Sequence, residues 1–319
     1  MRIARHPGYL ILTVFALILT GVTAINIAIV QRPLFPLFAV LAALAVYVMI
    51  RTYRTDVHAQ PATVRTWHAL GTESLAVFGG AVLTYALHCN TPLDVVLSTG
   101  LVGTLVALFF KRVQVPAYCG AFVGMSSPLL LGWGPFLLAA VLAALIFVIV
   151  KDTYNGFGGK LGTIAFAGAF VAGMVLRSPF LEGNRFTVVE SLWVIGVSIV
   201  SALMTYWVNI RLRQGPVLAS AFVGLYLGAL LILLPALPSA LPVVAMGATF
   251  VGMSSYERLP GAMIVAMAGG LFGLLFIFSA PYFNGAGGKL GTMAFISTLA
   301  LAGLNLTAKS AWQRLKTTS

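Results

Sequence analysis

Charged residues and cysteines are both scarce in this sequence. Only 8% of the 319 residues are charged, and there are two cysteines and four histidines. Two cysteines are too few for a disulfide framework or for a cysteine-rich metal site. Seven acidic residues leave little from which to build a catalytic centre of clustered acids and bases. We therefore expect no enzyme activity, no cofactor and no bound metal.

Hydrophobic residues are what the chain has in excess. They make up 60% of it, and the mean hydropathy is +1.01. One soluble core cannot bury so much apolar surface, so the bilayer must act as the solvent. Many apolar runs reach the roughly 20 residues with which a helix crosses a bilayer core, and backbone groups in lipid must be satisfied within the helix. The sequence predicts an all-α, multi-pass membrane protein.

The net charge of +12 does not indicate nucleic-acid binding in this context. The lysines and arginines lie in short loops between apolar runs, and such loops face the cytoplasm. We expect the partners to be the lipid bilayer and a small solute, with no nucleic acid, in a bacterial-type inner membrane. The sequence does not fix an oligomeric state.

Two motifs occur twice and in the same order. The twelve residues from Asn155 to Phe166 return from Asn284 to Phe295 with ten identical positions. Upstream, Phe122-Val-Gly-Met-Ser-Ser127 returns as Phe250-Val-Gly-Met-Ser-Ser255. Matches of this kind in one order indicate an internal duplication.

The duplication divides the chain into four parts. We predict two N-terminal transmembrane helices and a cytoplasmic loop in 1–66, a first five-helix repeat in 67–178, a second in 187–307, and a basic cytoplasmic tail in 308–319. The ten apolar segments of the repeats fall at 68–88, 93–110, 115–131, 133–150, 161–177, 187–208, 216–236, 240–256, 260–282 and 290–308.

An odd number of crossings in each repeat would invert the second repeat relative to the first. With twelve spans and both termini in the cytoplasm, fifteen of the 19 lysines and arginines fall inside and four outside. The alternative makes the two Gly-Met-Ser-Ser segments re-entrant loops, which gives ten spans, parallel repeats and a thirteen-to-six division. We favour the inverted arrangement and keep the alternative open.

The repeated motifs are the candidate solute site, because inverted-repeat transporters bind solutes near the midplane, where helices break. Pro128 after the first Gly-Met-Ser-Ser favours such a break, whereas the second copy lacks a proline. The alternative is a close contact between helices at small residues. The candidates here are Gly124, Ser126, Ser127, Gly252, Ser254 and Ser255.

The glycine-rich motif predicts a tight turn that opens a helix beside a lysine. Unpaired N–H groups at a helix start and a nearby ammonium group together suit an anion. The alternative is an interhelical turn whose lysine reaches a lipid headgroup. The candidates here are Asn155, Gly158, Gly159, Lys160, Thr163, Asn284, Gly287, Gly288, Lys289 and Thr292.

Glu73 and Glu190 occupy matching places near the start of each repeat. A carboxylate at membrane depth is costly, so we consider both as sites of ion coupling, with Lys160 and Lys289 as counter-ions. The alternative is that both glutamates lie at the interface and help to start helices.

These patterns predict a transporter of a small anionic or zwitterionic solute that works by alternating access. A passive channel on the same frame and a lipid-handling flippase are the alternatives, because architecture alone does not fix function.

Overall fold

The chain is almost entirely helical. The structure is a computed structural model that describes residues 2–59, 62–183 and 185–318. Within these residues twelve α-helices form: α1 His6–Val30, α2 Phe35–Ala59, α3 Trp67–Asn90, α4 Val95–Phe109, α5 Gln114–Gly124, α6 Trp133–Val150, α7 Lys160–Val175, α8 Val188–Tyr206, α9 Pro216–Ile232, α10 Leu241–Gly252, α11 Ala262–Ser279 and α12 Lys289–Thr318.

Two short strands accompany the helices near the start of the chain. Strand β1, Arg2–Ala4, pairs antiparallel with β2, Ala62–Val64. Gln60 and Pro61 of the predicted cytoplasmic loop lie outside the described residues, as do Met1, Asn184 and Ser319. The predicted basic tail is the end of α12 as far as Thr318. The expectation of an all-α, multi-pass membrane protein is confirmed.

Helix lengths differ from the twelve full spans expected. Seven helices are long and apolar enough to cross a membrane, namely α1, α2, α3, α6, α8, α11 and α12. The shortest are α5 and α10, with 11 and 12 residues. At about 1.5 Å per residue these two rise only about 17–18 Å, against a hydrocarbon core of about 30 Å. Helices α5 and α10 therefore cannot cross the bilayer alone.

Both short helices end at the glycine of a Gly-Met-Ser-Ser motif. After α5 the Ser126 hydroxyl donates to the Val123 carbonyl at 2.7 Å, and after α10 the Ser254 hydroxyl donates to the Val251 carbonyl at 2.8 Å. The second copy breaks as the first does, although no proline follows it. A following proline is thus not required for the break.

Close helix contacts occur at the same two glycines. A Cβ added to Gly124 would lie 2.7 Å from the Ala81 carbonyl oxygen of α3, and one added to Gly252 would lie 2.5 Å from the Ala202 carbonyl oxygen of α8. The helix break and the close contact, considered above as alternatives, are therefore both present.

Helices α7 and α12 cross at their first turns. A Cβ added to Gly162 would lie 2.5 Å from the Gly291 Cα. One added to Gly159 would meet the Gly291 carbonyl, and one added to Gly288 would meet the Gly162 carbonyl. The contacts advance along α7 while they retreat along α12, so the two helices run antiparallel and meet near their N-terminal ends.

This crossing predicts that alanine is not tolerated at either glycine. Gly162→Ala or Gly291→Ala should lower the free energy of unfolding by about 1–3 kcal/mol, because the added methyl group meets backbone that cannot move aside. The measurement is denaturant unfolding in detergent. Gly196→Ala is the matched control, since a Cβ at that position of α8 has open space around it. Equal stability of the Gly162→Ala and Gly196→Ala variants would contradict the crossing.

Candidate functional site

The two glycine-rich loops, 151–159 before α7 and 280–288 before α12, have the same backbone conformation. Each contains three residues with left-handed φ, at matching places. They are Tyr154 (48°), Gly156 (83°) and Gly159 (83°) in the first loop, and Phe283 (55°), Gly285 (82°) and Gly288 (88°) in the second. Two of the three are glycine in both copies because glycine adopts positive φ without steric cost. The repeated sequence thus encodes a repeated backbone shape.

Each Gly-Met-Ser-Ser segment binds the glycine-rich loop of the other repeat. The Ser254 hydroxyl accepts the Gly158 N–H at 3.1 Å, and the Ser126 hydroxyl accepts the Gly287 N–H at 3.1 Å. All four atoms are buried. The predicted site residues of the two motifs are therefore brought together in a crosswise pattern.

A second pair of bonds follows the same crosswise pattern. The Ser255 N–H donates to the Gly156 carbonyl at 2.9 Å, and the Ser127 N–H donates to the Gly285 carbonyl at 2.8 Å. These backbone bonds hold the residue after each break against the opposite loop. We refer to the four bonds as the exchanged hydrogen bonds.

The Lys160 ammonium group is directed into its own loop. Its Nζ donates to the carbonyls of Lys151 (2.8 Å) and Thr153 (3.0 Å) and to the Asn155 Oδ1 (2.9 Å). An ammonium group has three donors, and these three bonds use all of them. Lys160 therefore supports the loop that leads into α7.

Lys289 occupies the corresponding place before α12. Its Nζ donates to the Ser279 carbonyl at 2.8 Å and to the Asn284 Oδ1 at 2.7 Å. The side chain is buried, with 7% of the residue exposed. The predicted asparagine and lysine of each copy are thus direct partners.

The two predicted threonines lie one turn into α7 and α12. The Thr163 hydroxyl donates to the Gly159 carbonyl at 3.3 Å, and the Thr292 hydroxyl donates to the Gly288 carbonyl at 3.4 Å. Both side chains are buried. Each hydroxyl is hydrogen-bonded to a backbone carbonyl of the preceding turn, as threonine hydroxyls commonly are in helices.

Glu73 takes part in an ion cluster beside the end of α6. It pairs with Lys151 and lies 3.7 Å from Arg65, which also pairs with Asp152. The Lys151 carbonyl in turn accepts a bond from Lys160. The cluster therefore includes the first two residues of the first glycine-rich loop but lies outside the exchanged hydrogen bonds.

Glu190 has a different role from its sequence counterpart. It forms a capping box with Thr187 at the start of α8, accepting the Thr187 N–H at 2.8 Å. In the described residues neither glutamate forms a salt bridge with Lys160 or Lys289, whose ammonium groups bond backbone carbonyls and the asparagine of their own repeat. The structure does not bring Glu73 and Glu190 together.

A cavity of about 150 Å³ opens at the first loop, between the two repeats. It is lined by Gly156 to Leu161 together with Val115, Phe122, Pro216, Val217, Phe250 and Met253. The rings of Phe122 and Phe250 lie 4.4 Å apart between centroids. These two phenylalanines were not among the predicted site residues, although each begins a Phe-Val-Gly-Met-Ser-Ser motif and could have been found by that repetition.

A second cavity, of about 280 Å³, lies at the other loop. Asn284 and Lys289 line it, together with Arg185 and Glu190. Each glycine-rich loop therefore has a cavity of its own.

The exchanged hydrogen bonds predict matched effects of mutation in the two repeats. Ser126→Ala and Ser254→Ala should each destabilise the protein by about 1–3 kcal/mol, since each leaves a buried N–H without its acceptor. Thermal unfolding in detergent measures this. Ser310→Ala is the control, because that exposed hydroxyl bonds only within α12. An effect in one repeat only would contradict the crosswise pattern.

Two curated proteins are similar to part of the chain. The uracil permeases of Escherichia coli strain K12 and of Escherichia coli O157:H7 are each 36% identical to it over 105 residues, which make up 30% of this chain and 24% of each permease. The match thus spans about a quarter of the length of these relatives. No protein-family model matches the chain, and no solved structure matches it significantly.

Proposed function

We propose that the chain is a transporter that moves a small solute across the inner membrane by alternating access, with both termini in the cytoplasm. The observation that carries the proposal is the crosswise binding of two broken-helix motifs by two glycine-rich loops. The partial similarity to uracil permeases supports membrane transport as the class of function. The seven long apolar helices supply the multi-pass frame.

The start of α7 is the proposed solute-binding element. Its N-cap is Gly159, and no side chain among the described residues caps the helix there. The first N–H groups of a helix have no partner within the helix, and they carry the positive end of its dipole. Gly159, Lys160 and Leu161 line the 150 Å³ cavity, and N–H groups at such a helix start favour an anionic or carbonyl oxygen of a solute.

The size and lining of the cavity limit the substrate. A cavity of about 150 Å³ is smaller than the roughly 300–1,000 Å³ of ordinary ligand pockets, so the solute is small. Phe122 and Phe250 offer aromatic surface on which a flat or apolar part can lie. The three N–H donors of Lys160 are all bonded to its own loop. The solute's oxygens therefore meet backbone N–H groups and not a free ammonium group. Small anionic or zwitterionic solutes and carbonyl-bearing rings meet these conditions, and uracil is the first compound to test.

Alternating access would use the two equivalent pairs of exchanged hydrogen bonds, one pair at each glycine-rich loop. In the inverted arrangement, the cavity at Lys160 faces the cytoplasm and the cavity at Lys289 faces outward. Opening the cavity at one loop requires that the two exchanged hydrogen bonds of that loop break. The two bonds of the other loop stay formed at the same time. Each set contains only two hydrogen bonds, worth about 0.5–1.5 kcal/mol each, so the cost suits a transport cycle.

Ligand binding and uptake test the proposal together. Detergent-purified protein is screened by thermal shift against uracil, other nucleobases, small carboxylates, amino acids and inorganic anions, because a ligand that binds the folded state raises the melting temperature. Uptake of each hit is then measured in proteoliposomes. We expect one class of compound to stabilise the protein and to show saturable uptake.

A cavity-filling variant locates the site. Val115 lines the cavity and Val141 of α6 does not, and the two are similarly exposed, at 41% and 45%. Val115→Trp should abolish both the thermal shift and uptake, whereas Val141→Trp should retain both. Uptake that does not saturate would favour the channel alternative. Stabilisation by phospholipid alone, without solute flux, would favour the lipid-handling alternative and contradict the proposal.

A further inference from the structure

A large groove lies on the second repeat, away from the solute cavity. It runs along the end of α8, a π-helical turn at Trp207–Arg211, helix α9 and the segment after α10. Its volume is about 1350 Å³, which exceeds the upper range of about 1,000 Å³ for ordinary small-molecule pockets. The groove is therefore large enough for an extended ligand.

The wall of the groove is apolar and aromatic and faces outward. Trp207, Phe222, Tyr226 and Tyr256 line it, and each is more than half exposed in the isolated chain. Tryptophan and tyrosine are enriched where a membrane protein meets the boundary between hydrocarbon and headgroups. This wall therefore suits acyl chains.

Two arginines complete the groove at the end of α8. Arg211 and Arg213 both line it and both are exposed. In the described part of the chain neither forms a salt bridge. Arg211 ends the π-helical turn, and Arg213 has a left-handed φ of 55°. Single π-turns of this kind are frequent at functional sites, and a non-glycine residue with positive φ is uncommon.

The first repeat lacks this arrangement. Gly124 meets Ala81 of α3 as Gly252 meets Ala202 of α8, so the counterpart of the π-helical turn lies at 86–90, where α3 ends at Asn90 as an ordinary helix. Asp94 follows there and caps α4 by accepting the Val96 N–H. The arginine pair is thus particular to the second repeat and is not a product of the duplication.

We infer that the groove between α8 and α9 binds an anionic phospholipid. Arg211 and Arg213 hold the headgroup phosphate, and an acyl chain lies along Phe222 and Tyr226. Guanidinium groups bind phosphate oxygens through paired hydrogen bonds. Basic pockets between membrane helices hold anionic headgroups in the same manner. The two arginines thus match the anionic headgroup of such a lipid, and the aromatic, apolar wall matches its acyl chain.

Native mass spectrometry of the full chain tests this inference, with phosphatidylglycerol and phosphatidylcholine titrated separately. We expect phosphatidylglycerol to bind more tightly than phosphatidylcholine. The Arg211→Ala, Arg213→Ala double variant should weaken phosphatidylglycerol binding about 100-fold, at about tenfold for each charge-assisted contact. The Lys111→Ala, Arg112→Ala double variant is the control, since it removes another exposed basic pair outside the groove. It should bind within about twofold of wild type, because neither residue lines the groove.

The double lysine variant, Arg211→Lys with Arg213→Lys, separates paired hydrogen bonding from charge alone. It should bind phosphatidylglycerol more weakly than wild type and more tightly than the alanine variant. Equal losses in the groove and control variants would overturn the inference, as would equal affinity for the two lipids. Loss of a dimer in the Arg211→Ala, Arg213→Ala variant without any change in lipid binding would assign the groove to a second copy instead. None of these measurements depends on solute transport.

Discussion

A helix that ends inside a bilayer must find partners for its free backbone groups within the protein, because lipid offers none. This constraint applies to α5 and α10, which are too short to cross, and to the buried starts of α7 and α12. The exchanged hydrogen bonds meet it twice, since the segment after each short helix binds the loop before the opposite repeat's last helix. Part of each break is satisfied within its own repeat, by Ser126 and Ser254, and the opposite repeat supplies the remaining bonds.

The glycines and lysines follow from the same constraint. Glycine at 162 and 291 lets the starts of α7 and α12 approach until their backbones touch. The loops that lead to these starts have carbonyls that water would otherwise satisfy, and the Lys160 and Lys289 ammonium groups replace that water. The same sequence therefore serves both loops, whose ends meet where α7 and α12 cross.

Hydropathy and glycine patterns were enough to predict most of the helices. The segment expected at 133–150 is Trp133–Val150, and the one at 93–110 is Val95–Phe109. The crosswise contacts could not be predicted, because they join residues 96 and 161 positions apart and periodicity reports only neighbours along the helix. The glutamates show a second limit. Glu73 lies seven residues into α3 whereas Glu190 lies in the first turn of α8, and an alignment of short motifs does not reveal that difference in depth.

The account's central claim is that the two repeats separate at the exchanged hydrogen bonds during transport. A cross-link tests it most directly. A Cβ added to Gly156 would lie 3.3 Å from the Ser255 Cβ, close to the roughly 3.5–4.5 Å of a disulfide. The measurement is uptake by a Gly156→Cys, Ser255→Cys variant that also carries Cys89→Ser and Cys119→Ala, in oxidised and reduced proteoliposomes. The account predicts that oxidation stops uptake and that a reductant restores it. Equal uptake by cross-linked and reduced protein would contradict it.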